Sequence, residues 1–385
     1  MTGLIPANIA RQGVSETGGH RTILDAVRWT SAFVVLFGHC LGLVFTRPPA
    51  IELSSVLGIV NYIAELRGVA VTMFFVVSGY LVGGSVLERA GAFDFKQYAL
   101  SRFVRIYIVL APAIILILAL DIAAGALWPG SPVYNSVWPS GVLGDTPIYE
   151  RYGVLNWVAT ILSLENFVGR PLGSGGALWS LGYEWVFYFV MPILVLGGRR
   201  INATWGPYAA IGLALVVLVV TRQLFTAMFF GIWIAGAVAR MLWLKRQTWV
   251  LVRFGGALLA TAGVLTAPFF GGKIASVLVG LGFSAFLATL SSRERGFDAR
   301  IDERLASFSY SLYVTHLSVI TFVAAGANYF GYLGVNGRAV DVQGCALVLV
   351  MVIFSLGVAS IFGAMFEDRT ALLKGWLSRN ISLFR

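Results

Sequence analysis

The sequence predicts an all-α, polytopic membrane protein, and three observations carry that prediction. Apolar residues make up 58% of the chain against 12% charged, and the mean hydropathy is +0.82, far from the balance of a soluble globule. About ten apolar runs approach the length of roughly twenty residues that a bilayer-crossing helix needs. The basic residues sit in short stretches between those runs and form no continuous stripe. The net charge of +10 therefore reads as a topology signal and not as a nucleic-acid surface. The chain divides into a cytoplasmic N-terminal segment (1–23), a membrane domain (24–366) and a cytoplasmic tail (367–385).

Taken in order, the predicted spans are Leu24–Phe45, Glu65–Leu87, Val104–Leu127, Ala177–Gly197, Trp205–Thr221, Leu224–Leu242, Trp249–Pro268, Ile274–Leu290, Phe308–Phe330 and Gly344–Phe366. Charges punctuate them. Arg199 and Arg200 follow the fourth, Lys245 and Arg246 the sixth, and Arg293 and Arg295 the eighth, all on the amino-terminal side. Setting aside Arg28, twenty Lys and Arg fall on that side and seven on the other: Arg47, Arg67, Arg151, Arg170, Arg222, Lys273 and Arg338. An even number of spans puts both termini on one side, and this asymmetry makes that side cytoplasmic. The first twenty residues lack the short apolar core and small-residue site of a removable signal, so the first span itself is expected to direct insertion. Cys40 and Cys345 lie in apolar runs without metal-ligand or disulfide spacing, so no metal site is expected.

Two connections stand out. Phe93 to Tyr107, FDFKQYALSRFVRIY, reads as an interfacial amphipathic piece feeding the third span, with Arg102 and Arg105 on one face. The outer connection Trp128–Gly176 is long and rich in Pro, Gly, Trp and Tyr, and loops of that length are usually functional. Its apolar segment Val154–Leu164 is too short to span, so it is expected to lie on the surface or re-enter.

The candidate chemistry lies inside the spans. Arg28 and His39 are eleven positions apart on the first helix, hence on one face and separated by roughly 16 Å, with Asp25 near the same face. Lipid cannot solvate such groups, so they must face a partner or a wet cavity. A neutral imidazole is the form that takes a proton from an attacking hydroxyl. Glu184 in LWSLGYEWVFY falls about 10 Å from the outer start of its helix and His39 about 22 Å from the inner start of its own, depths compatible with contact. Glu184 is then placed to orient the imidazole as the third member of a triad does. A plain interhelical carboxyl is the alternative. Arg28, Arg102 and Arg105 lie near the inner face, where guanidinium forks grip phosphates, or where ordinary positive-inside flanking puts them. Ser78 and Gly79 in FFVVSGY offer a small surface past which a thin substrate arm can run. Gly79-x-x-x-Gly83 equally suits helix packing. Tyr310, Tyr313 and His316 in SYSLYVTH lie towards the inner half of the ninth span, where they line the path of a donor substrate or simply bond between helices. Asp121 is intramembrane without an assigned role.

The order and spacing of D-x-x-R before His39, FFVVSGY, RFVR, LWSLGYEW and SYSLYVTH resemble the acyltransferase family 3 membrane proteins, which include bacterial O-acetyltransferases of surface glycans. The resemblance covers about the whole chain. It implies ten membrane helices in the bacterial cytoplasmic membrane, acyl-CoA, most simply acetyl-CoA, as a cytoplasmic donor substrate with no bound cofactor, and a glycan or glycolipid acceptor presented outside. It carries the Arg-to-His spacing to Arg28 and His39 and the double-Arg motif to Arg102 and Arg105. The chain departs from many relatives in having Glu184 followed by Trp185 where two acids are common, and in lacking a proline after Glu367.

The expected activity is O-acyl transfer with His39 as general base or as a covalent acyl relay, and the residues fit both. A proton-coupled transporter or flippase would also need buried Arg, His and Glu, although no repeated pair of broken helices points to two access states. An oligosaccharide polymerase is a third alternative. No fused outer domain is evident, which leaves room for a separate extracytoplasmic partner.

Overall fold

The structure, a computed structural model, describes residues 18–48, 51–91, 93–199, 224–245, 249–269, 272–291 and 296–382. Its helices are α1 (Gly18–Val44), α2 (Val56–Ser78), α3 (Gly84–Arg89), α4 (Phe95–Leu127), α5 (Pro132–Asn135), α6 (Val154–Ile161), α7 (Trp179–Arg199), α8 (Leu224–Leu244), α9 (Val250–Thr266), α10 (Gly272–Ala288), α11 (Ala299–Ala306), α12 (Ser309–Tyr329), α13 (Val342–Met365) and α14 (Thr370–Ser382). No strand occurs among the described residues beyond isolated bridges such as Phe45 with Arg338. The all-α fold class is thus met. Among the described residues seven helical stretches are long and apolar enough to cross a membrane, and α9 and α10, 17 residues each, are apolar but shorter. The expected fifth span, Trp205–Thr221, lies outside the described residues.

Local signals set the helix ends. Ser55 accepts from Gly58 N at 3.0 Å and starts α2 nine residues before the expected Glu65. Asp94 accepts from Gln97 N at 3.1 Å and starts α4 at Phe95. The amphipathic stretch expected to feed the third span is the opening of the same 33-residue helix, because nothing between Asp94 and Val104 breaks it. Arg102 and Arg105 are consequently fixed by a rigid helix that continues into the bundle. Past Ser78 the backbone makes one π turn, Gly79–Gly83, before α3, the kind of bulge that often marks a functional site.

Close packing there requires glycine. A Cβ on Gly79 would come within 1.9 Å of the Trp233 carbonyl oxygen, and one on Gly236 within 2.2 Å of that of Val76, so α2 and α8 touch backbone to backbone. The largest core cluster, which includes Phe75, Tyr80, Phe187, Phe229 and Trp233, gathers α2, α4, α7 and α8. A second joins α1, α12 and α13 with Tyr134 and Trp138 of the long connection.

That connection is pinned by the aspartate left without a role. Asp121, 1% exposed, accepts from Tyr134 Oη at 3.1 Å, Tyr152 Oη at 2.6 Å and Ser174 N at 2.9 Å, tying both ends of the loop to α4. The helix α6 starts with exposed Val154 and Leu155 and ends with buried Ala159 and Thr160, so the apolar segment lies on the surface with its C-terminal end tucked in.

After α6 the chain turns through Ser163 and Asn166 at positive φ, which draws Glu165 fully inside against Gly182 of α7. Its two carboxyl oxygens meet no hydrogen-bond partner among the described residues. Burial pushes this carboxyl up from 4.5 to about 8. The folded protein holds the proton more tightly than the unfolded chain does. The resulting stability is complete below the unfolded value and is lost as pH rises through about 8. Thermal unfolding from about pH 5 to about pH 9 is expected to show a falling stability that Glu165→Gln flattens. Parallel curves for the two proteins would mean that Glu165 ionises without cost.

Candidate active site

A cavity of about 470 Å³ runs into the bundle between α1, α2, α4, α7 and α12. Its mouth carries Arg21, Asp25, Arg28, Arg102, Arg105, Glu303, Glu367 and Asp368; its depth carries Ser78, Ser180, Glu184, Tyr188 and Tyr313. Of the residues singled out in the sequence, the cavity thus gathers Arg28, Arg102, Arg105, Ser78, Glu184, Tyr310 and Tyr313. It does not include Gly79, His39 or His316. Gly79 faces the α8 backbone, so the expected passage of a substrate arm over it is replaced by helix packing.

Glu184 sits at the centre of a hydrogen-bonded knot. Ser78 Oγ and Tyr188 Oη both donate to Glu184 Oε1, and Trp233 Nε1 donates to Ser78 Oγ at 3.1 Å. The carboxylate therefore orients Ser78 and Tyr188, and the expected pairing of Glu184 with His39 is not formed. Helical depth alone made that pairing look available; the neighbours of α7 decide otherwise. Tyr188 lies four residues after Glu184, one turn along the same face, so periodicity pointed to it. Trp233 carried no such signal.

The arginines separate into two kinds. Arg105 Nη2 meets Glu367 Oε1 at 2.8 Å, while Glu367 Oε2 accepts from Ser311 N at 3.0 Å and Ser311 Oγ at 2.9 Å. Arg28 Nη1 meets Asp25 Oδ1 at 3.3 Å, and Arg21 bridges Asp25 at 3.7 Å and Glu303 at 3.6 Å. Among the described residues Arg102 has no carboxylate within ion-pair distance. Its guanidinium lies over the rings of Tyr98 at 5.7 Å and Tyr188 at 5.9 Å. An incoming anion meets Arg102 ready, whereas at Arg28 and Arg105 it competes with a carboxylate. Glu367, seen in the sequence only as the end of the last span, proves to be the partner of the second motif arginine.

Behind the deep end stands the histidine pair. His39 Nδ1 lies 3.0 Å from His316 Nε2, with ring centroids 5.1 Å apart. His316 is buried and His39 half-buried. Tyr313 forms the wall between the cavity and the pair: its ring lines the cavity, lies 6.0 Å from His316 and meets Phe74 edge-on at 5.5 Å, and Phe74 and Ser180 line the cavity beside it. Tyr313 Oη donates to Ala177 O at 3.1 Å and so accepts from Ser180 Oγ at 2.5 Å. Tyr310 donates to Ile106 O at 3.3 Å and lies under Arg105, linking α12 to α4. Among the described residues no cluster of His, Cys, Asp and Glu has the makings of a metal site.

Comparison with known proteins adds a family. The family described as an acyltransferase domain matches residues 21–365. Nodulation protein 10 of Rhizobium leguminosarum bv. viciae is 26% identical over 185 residues, covering 48% of this chain and 47% of that protein. The chain thus spans about half the length of this curated relative. No solved structure matches.

The Arg105 to Glu367 contact makes a stability statement of its own. Arg105→Ala leaves a carboxylate that is 5% exposed and, among the described residues, hydrogen-bonded by Ser311 alone, and the expected loss is on the order of 3 kcal/mol. Adding Glu367→Gln is expected to return part of it, because the double variant no longer buries a lone charge. A double-mutant cycle on unfolding in detergent reads the coupling, and simple additivity would show that the two groups do not depend on each other.

Proposed function

The chain belongs to the acyltransferase domain family, and from that premise we propose that it is an integral-membrane O-acyltransferase. It takes an acyl group, most simply acetyl, from cytoplasmic acyl-CoA and delivers it to a hydroxyl of a glycan or glycolipid outside the bacterial cytoplasmic membrane. One observation carries this reading: the arginine-lined cavity ends at a thin wall with the His39 and His316 pair directly behind it. The mouth lies on the side that the basic asymmetry makes cytoplasmic, which suits a coenzyme with anionic phosphates. A transporter has no need of an arginine-lined cavity closed off from a histidine, and the family does not favour one.

In this reading the coenzyme's phosphates rest on Arg102, with Arg28 and Arg105 exchanging carboxylate for phosphate oxygens as the donor enters. The thioester reaches the wall at Phe74, Ser180 and Tyr313. His39 takes the proton of the acceptor hydroxyl as its oxygen attacks the thioester carbonyl. The C–S bond then breaks, and the coenzyme thiolate receives the proton held by His39. Covalent relay through His39 uses the same residues: the imidazole nitrogen attacks the thioester carbonyl, the C–N bond forms as the C–S bond breaks, and the coenzyme leaves as its thiolate. The acceptor oxygen then breaks the C–N bond while its hydroxyl proton passes to the thiolate by way of the freed imidazole.

Two outcomes are expected. Arg102→Ala raises the Kd for coenzyme A on the order of tenfold, the worth of one charge-assisted contact, and Arg102→Lys recovers only part because it lacks the planar fork. Titration calorimetry on the purified protein reads this, and an unchanged Kd returns Arg102 to a topology role. His39→Ala and His39→Gln both lower acyl transfer at least a hundredfold while coenzyme A still binds. The assay is mass spectrometry of glycans from deletion strains complemented with each variant. A folded His39→Gln protein with normal transfer overturns both forms of the mechanism.

A further inference from the structure

The protons of the histidine pair follow from three contacts. His316 Nδ1 lies 3.1 Å from Leu312 O and 2.9 Å from Tyr313 O. A carbonyl oxygen only accepts, so this nitrogen carries the hydrogen. A neutral imidazole has one such hydrogen, so His316 Nε2 presents a lone pair, and it presents it to His39 Nδ1 at 3.0 Å. Two lone pairs cannot share a hydrogen bond. His39 Nδ1 therefore carries a hydrogen as well, which leaves the lone pair of His39 on Nε2.

Both rings are neutral in this account for a reason also on the page. Neither ring is hydrogen-bonded to a carboxylate among the described residues. The charged side chain packed against this part of α1 is Arg67, which lies against Gly38 and Gly42 on either side of His39 in sequence and is itself paired with Glu65 at 3.2 Å. That carboxylate is already shared with Arg47 at 3.5 Å, so a further cation on the imidazoles would be buried without a counter-charge of its own.

We propose that His316 is a positioning residue that holds His39 in the Nδ1–H tautomer, so that Nε2 is the nitrogen that accepts the acceptor's proton. The anchor of this chain of contacts is the backbone of α12 itself, since Leu312 O and Tyr313 O lie in the turn preceding His316. The helix thereby sets both the tautomer of its own histidine and, through it, that of a histidine on α1. Such an outer partner fixes ring orientation and tautomer as the carboxylate does in a catalytic triad, here with an imidazole in its place. The inference rests on the proposed role of His39 only for its catalytic consequence; the tautomer is a property of the resting protein.

The test separates the two. The chain has three histidines, His20, His39 and His316, so full-length protein labelled with 15N-histidine in nanodiscs gives few signals, assigned by replacing each in turn. His39 is expected as the Nδ1–H tautomer in the unaltered protein. It should remain so in His316→Gln, whose amide oxygen can accept the same hydrogen, and turn to a mixture or to the Nε2–H form in His316→Phe. Turnover is expected to fall on the order of ten- to a hundredfold in His316→Phe with the donor KM unchanged, and to recover in part in His316→Gln. An Nε2–H His39 in the unaltered protein, which requires no variant to fold, overturns the proposal. So does an Nδ1–H form that survives His316→Phe, or equal turnover in the Phe and Gln variants. The expected tautomers together with an active His39→Gln protein would instead overturn the function of the site and leave the positioning intact.

Discussion

A charge inside an apolar bundle has to be answered by another group of the protein, because lipid offers neither hydrogen bonds nor counter-ions. Three carboxylates show how far that constraint organises the described structure. Asp121 draws three donors from the long connection onto α4. Glu184 draws Ser78 and, through it, Trp233, fixing α7 against α2 and α8. Glu367 draws Arg105 and Ser311, fixing the end of α13 against α4 and α12. Apolar contacts alone discriminate poorly among helix neighbours, since one Leu-rich face packs nearly as well against another or against lipid. The buried acids make particular helices neighbours.

The same rule explains what the sequence could and could not reveal. Apolar runs were enough to find most of the described helices along the chain, since hydropathy is a local property. The starts of α2 and α4 were misjudged because the apolar stretch begins later than the helix, whose true signals are the caps Ser55 and Asp94 in polar surroundings. Arg28, Arg102, Arg105, Ser78 and Glu184 were legible as polar groups in or beside the spans, and the cavity does collect them. Their partners were not legible. Helical rise gives depth along an axis but not which axes are adjacent, so Glu184 was matched to His39 by depth when α12 supplies His316 instead. Gly79 was ambiguous in sequence for a related reason: a small residue admits either a ligand or a backbone, and here α8 takes the space.

The pairing also shapes how an anion would enter. The cavity mouth is not a field of free positive charge, because Asp25, Glu303 and Glu367 sit among its arginines. Those acids hold the guanidinium groups in place before any ligand arrives. A phosphate that replaces a carboxylate exchanges one charge-assisted pair for another, so the net gain per exchanged site is small compared with that at Arg102. Selectivity at such a mouth comes from the number of phosphate oxygens and their spacing more than from attraction at a distance, which salt would screen.

The wall between cavity and histidines then becomes the central element of the proposed chemistry. It keeps the reacting carbon of a bound donor away from the base, and with it from any water that reaches the half-buried His39, which protects a thioester from hydrolysis. What holds the wall is one edge-on ring contact between Phe74 and Tyr313, two neutral hydrogen bonds of Tyr313, and the packing of its ring in the main core cluster, where it is 9% exposed. Both hydrogen-bond partners of Tyr313, Ala177 O and Ser180 Oγ, lie where the long connection passes into α7, so the position of that helix end sets where the ring stands. The anchoring of the connection by Asp121 and the placing of Tyr313 between cavity and histidines are in that way two consequences of one arrangement of α4, α7 and α12.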